Sequence, residues 1–74
     1  MHIDLKPLFR ERGLTQKDAA FHLGVSEPTI SEWLNALREG RHRRVPAESA
    51  RPLAKLLNLS PAVIRPDLFG EATP

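Results

Sequence analysis

Residues 26–44 hold most of the side chains whose type and spacing could serve recognition chemistry. Glu27, Thr29, Ser31, Glu32 and Asn35 fall on one side of a helical repeat, opposite Ile30, Trp33, Leu34 and Leu37. An outward row of donors and acceptors can recognise a polar partner. Directly after it comes Arg38-Glu39-Gly40-Arg41-His42-Arg43-Arg44, with four arginines and one glutamate. The whole chain has 11 Lys plus Arg against 9 Asp plus Glu, a formal charge of +2. This stretch alone carries +3, so the remaining residues are slightly acidic in sum. The basic excess therefore sits beside the polar face, where it can hold an anion.

Residues for other chemistries are missing from the sequence. With no cysteine there is no disulfide, thiolate zinc site or cysteine nucleophile. His2, His22 and His42 are far apart and lack ligand spacing, so no metal site is expected. No nucleophile–base pattern or glycine-rich phosphate loop is present, which argues against an enzyme, a cofactor or a small-molecule substrate.

Short helices must position the polar face. Leu5, Leu8, Phe9 and Arg12 share one face of a first unit, residues 3–12. There Pro7 is acceptable only in the first turn, which predicts Asp4 as N-cap. Thr15 with Asp18 predicts a capping box opening residues 15–23, and Ala19, Ala20 and Leu23 form the apolar side. Ser26 and Pro28 suit the start of the third unit. A fourth helix, residues 46–57, buries Ala50, Leu53, Ala54 and Leu57, and Pro52 predicts a kink or a restart near Arg51. Ser60-Pro61 opens a last helix to about residue 65; Leu68 and Phe69 are expected to pack back on the domain. Gly13, Gly24 and Gly40 each end a helical stretch. The basic stretch is expected to be a loop around Gly40, and no segment alternates as a strand does.

Residues 16–34 read as a helix-turn-helix. Ala20 is small where a second helix crosses, Gly24 permits the left-handed turn, Val25 fills the angle, and Ile30 and Trp33 bury the inner face. The phase of Trp33 with Ile30 and Leu37 places it in the core rather than against a base.

Leu14-Thr15-Gln16, Leu23-Gly24-Val25-Ser26 and Ile30-Ser31-Glu32-Trp33-Leu34 resemble the lambda-repressor/Cro superfamily. Val45-Pro46-Ala47-Glu48 and Arg65-Pro66-Asp67-Leu68-Phe69 extend the resemblance toward its small YdaS-type repressors and antitoxins. Pro52 departs from the continuous helix usual there, and Glu27 and Pro28 stand where many relatives carry glutamine.

The resemblance implies an all-α domain of five short helices over residues 1–69, followed by a disordered tail at 70–74. It implies a sequence-specific transcriptional repressor whose third helix, residues 27–37, enters the major groove of operator DNA. Glu27, Pro28, Thr29, Ser31 and Glu32 would then face base edges. A glutamate would accept from cytosine N4, while Pro28 and the Thr29 methyl would meet thymine. Thr15, Gln16, Lys17, Asn35, Arg38, Arg41, Arg43 and Arg44 would contact phosphates. A palindromic operator implies a homodimer, with residues 56–69 as the expected dimer surface. The alternatives are an antitoxin that binds a toxin protein and autoregulates its operon, and a helical adaptor that binds no DNA. The chain has no apolar run near the ~20 residues of a membrane span and no signal-like N-terminus, so a cytoplasmic protein without a membrane partner is expected.

Overall fold

The computed structural model describes residues 2–69; the expected tail at 70–74 lies outside the described residues. Among the described residues there is no strand. The order is α1 (Lys6–Glu11), α2 (Gln16–Leu23), α3 (Glu27–Arg38), a 3₁₀ turn (His42–Arg44), α4 (Ala47–Leu56), α5 (Pro61–Ile64) and α6 (Pro66–Phe69). The all-α architecture matches the expectation. The count differs because residues 66–69, expected only to pack back, form a further helical turn, and the basic loop holds a 3₁₀ turn.

The starts follow local chemistry. At α2, the Asp18 amide donates to Thr15 Oγ1 at 3.0 Å and the Thr15 amide donates to Asp18 Oδ2 at 3.1 Å, completing the capping box. At α5, Ser60 Oγ accepts from the Ala62 amide. Two expected caps differ. α1 starts one residue late, with Leu5 at the N-cap and Asp4 Oδ1 accepting from the Lys6 amide at 3.1 Å. Leu5 is fully buried, so the chain turns where the core holds it. Ser26 is the N-cap of α3, but its hydroxyl bonds Thr29 Oγ1 at 2.8 Å in place of a backbone amide.

One device closes the first four α-helices. An amide two or three residues past each helix end bonds back to a carbonyl five residues earlier: Leu14 to Phe9, Val25 to Ala20, Arg41 to Ala36 and Leu59 to Ala54. The pivot must be left-handed. At Gly24, φ is +71°; at Asn58, which the glycine pattern missed, φ is +58°. Asn tolerates this conformation better than other side-chain-bearing residues.

Pro52 neither ends nor restarts α4, which runs unbroken over Ala47–Leu56. The amide it lacks would have bonded the Glu48 carbonyl one turn earlier. Both residues are exposed, so water can satisfy that carbonyl.

The core joins α1 to α5. Leu5, Phe9, Ile30, Trp33, Leu37, Leu53 and Ile64 are all buried within it. Ala19 and Ala20 are buried on α2, where their small side chains allow α3 to approach. Phe69 packs against this core as expected, but Leu68 is 51% exposed. The short segment before α1 secures the far end of α3: Ile3 donates its amide to the Leu37 carbonyl at 2.9 Å, and His2 Nδ1 lies 3.0 Å from the Arg38 carbonyl.

Candidate nucleic-acid interface

Three residues, Gly24 to Ser26, join α2 to α3. Val25 is half-buried against the core, filling the angle between the helices, and Ile30, Trp33, Leu34 and Leu37 turn inward. This fixes which residues of α3 face outward. Pro28, Ser31, Glu32 and Asn35 recur at the three- and four-residue spacing of one helical stripe, with Glu27 beside its start. Glu27, Pro28 and Glu32 are exposed, while Thr29, Ser31 and Asn35 are half-buried. Thr29 has its hydroxyl engaged with Ser26, and Asn35 Oδ1 accepts from the Arg38 guanidinium at 3.3 Å.

At the start of α2, Thr15 and Lys17 are exposed and Gln16 is half-buried. Thr15 Oγ1 is an acceptor in the capping box, leaving its proton free to donate elsewhere. Hydrogen bonds from Thr15 hold the Asp18 carboxyl below its usual range. Gln16 also lines an open cleft of about 320 Å³ with Lys6, Phe9, Arg10, Leu14 and Leu34. Lys6 and Arg10 thus add two cations near this helix start. Sequence reasoning left both out, although their i, i+4 spacing on α1 was available as a signal.

The arginines of the basic stretch are individually partnered. Arg41 pairs with Glu39, and Arg44 pairs with Glu32 on the outer face of α3. Arg43 Nε lies 3.9 Å from Asp67. The structure therefore brings Glu32 and Arg44 together, two residues that the sequence pattern assigns to separate tasks.

The most consequential arrangement that the sequence pattern does not show lies behind the turn. Arg65 is only 9% exposed. It donates through Nη1 to the Val45 carbonyl at 2.7 Å, and through Nε and Nη2 to the two oxygens of Asp67 at 2.9 and 2.7 Å. His42 Nε2 lies 3.5 Å from the same carboxylate, and its Nδ1 is buried with no partner among the described residues. Val45 is itself fully buried. Arg65 and Asp67 thus hold the 3₁₀ turn from both ends. Both residues were visible in the resembling motif, but the separation of twenty positions between Arg65 and Val45 hid the contact.

Hydrogen bonds from Arg65 lower the Asp67 carboxyl from the ordinary 3.8 to about 2. A depressed carboxyl stabilises the fold above its unfolded-state value, and that contribution disappears as pH falls through the folded value. Asp18 has the same sign. Thermal stability should therefore decline as pH drops from about 4 to 2. Asp67→Asn should flatten much of this decline in melts followed by circular dichroism. An unchanged acid profile in that variant would remove Asp67 from the account.

Among the described residues no helix is long and apolar enough to cross a membrane, and no cluster of potential metal ligands forms. A family model described as helix-turn-helix matches residues 6–64, most of the chain. Neither the curated proteins nor the solved structures contain a match. With α2, the three-residue turn and α3 inside the matched span, the chain belongs to the lambda-repressor/Cro-like helix-turn-helix family, whose domain is that of a DNA-binding transcription regulator.

Proposed function

We propose that this protein is a sequence-specific transcriptional repressor of the YdaS type that binds operator DNA as a homodimer. The observation that carries the reading is the exposed polar stripe of α3, bordered at one end by the clamped arginine turn. In this reading α3 lies in the major groove with Glu27, Pro28, Thr29, Ser31 and Glu32 toward base edges. Phosphates are met by Thr15, Gln16 and Lys17 at the start of α2, where the helix dipole favours an anion. On the other side they are met by Asn35, Arg38, Arg41 and Arg43. The contact between Arg65 and Val45 supports the YdaS-type assignment, because it joins the two segments that carry that finer resemblance. Leu68, half exposed on α6, supports a dimer through the C-terminal half.

Titration of a random-sequence duplex at several salt concentrations tests the reading. Each neutralised phosphate releases condensed cations, so affinity should fall as salt rises. Sedimentation of the complex should show two protein chains per palindromic site. An absence of binding at low salt would favour the adaptor. A single chain per site would remove the dimer. Antitoxin action would instead appear as a stable complex with a toxin protein.

A further inference from the structure

We infer that Arg44 is a guanine-reading residue of this interface and that Glu32 positions it; the inference rests on the DNA-binding reading above. The outer stripe of α3 has no arginine of its own within the base-facing turns. Guanine is most often read by a guanidinium donating two hydrogen bonds to O6 and N7. The structure supplies such a group from outside the helix. Arg44 ends the 3₁₀ turn, and its Nη2 donates to Glu32 Oε2 on the exposed face of α3.

The backbone around Arg44 is tethered. Val45, the next residue, is fully buried and its carbonyl accepts from Arg65. The Arg44 amide bonds back to the Arg41 carbonyl at 3.1 Å. The long side chain thus leaves a fixed point, and the Glu32 carboxylate holds its tip. A single carboxylate contact uses one of the five N–H donors, leaving enough for a base edge. Supporting a recognition group with a second side chain preserves its geometry at lower entropic loss. The same pair removes a difficulty at Glu32, whose carboxylate would otherwise face the phosphates with its charge uncompensated.

Selection of bound sequences from a random duplex pool tests this, using the wild type, Arg44→Ala, Glu32→Ala and the double variant. Both residues are exposed, and each variant is first checked for its helical spectrum. The wild-type half-site should contain one G·C pair whose preference falls about tenfold to a hundredfold in Arg44→Ala. Glu32→Ala should weaken the same preference, with no further loss when added to Arg44→Ala. Substituting 7-deazaguanine at that pair should weaken the wild type and leave Arg44→Ala unaffected. A uniform loss on all sequences in Arg44→Ala would make Arg44 a phosphate contact and overturn the inference. So would a G·C preference lost in Glu32→Ala but retained in Arg44→Ala, which would make Glu32 a direct cytosine reader. Failure of the wild type to bind any duplex at low salt would instead defeat the DNA-binding reading, and this inference with it.

Discussion

Arg65→Ala should lower the stability of the domain by about 2 kcal/mol or more, a fall of roughly 8–16 °C in Tm for a chain of this size. The substitution removes a buried charge-assisted hydrogen bond to the Val45 carbonyl and leaves that acceptor unsatisfied next to the core. It also frees Asp67, which among the described residues then faces His42 and Arg43. The 3₁₀ turn should loosen as a result. DNA affinity should therefore drop even at temperatures where the variant remains folded, although Arg65 is placed in no DNA contact. Arg65→Lys should recover little, because an ammonium cannot donate in parallel to both Asp67 oxygens while reaching Val45. A melting temperature within about 2 °C of the wild type would show that water replaces these bonds without loss.

Trp33→Ala should be more damaging still. Trp33 is 5% exposed and packs into the core from the inner face of α3. Removing a buried aromatic of this size costs about 3–5 kcal/mol. A single core in a chain this short supplies about as much in total. The variant should thus be largely unfolded at 37 °C, losing its helical spectrum along with DNA binding. Trp33→Phe keeps most of the apolar volume and should bind DNA with near-normal sequence preference. A well-folded Trp33→Ala that fails to bind would move Trp33 from the core to the DNA surface, against its burial.

Features written within a few neighbouring residues are legible in the sequence alone. The Thr15–Asp18 capping box, the Gly24 pivot and the inward phase of Ile30, Trp33 and Leu37 each depend on one helical turn or its closure. The restart near Arg51 does not occur, because the penalty of Pro52 depends on where the orphaned carbonyl points, and here Glu48 lies at the surface. Asn58 escapes a pattern in which glycine alone signals a left-handed pivot. At the candidate interface, sequence periodicity identifies the outward stripe of α3. It cannot foresee that Glu32 meets Arg44 twelve residues later, or that Arg65 reaches back to Val45. Those contacts depend on how α3, the turn and α5 pack together, which no local pattern encodes.

The pairing of the arginines has a consequence for ion-exchange stoichiometry. In the free protein, Arg41, Arg43 and Arg44 already stand beside Glu39, Asp67 and Glu32. When a phosphate displaces one of these carboxylates, the duplex sheds cations while the liberated acid gathers some from solution. The two exchanges oppose one another. If Arg41 and Arg43 meet phosphates as proposed, the salt slope should undercount those contacts. On the proposed DNA-binding reading, the protein carries part of its own electrolyte on the chain, and its affinity for a duplex should depend less on the surrounding medium than the number of arginines suggests.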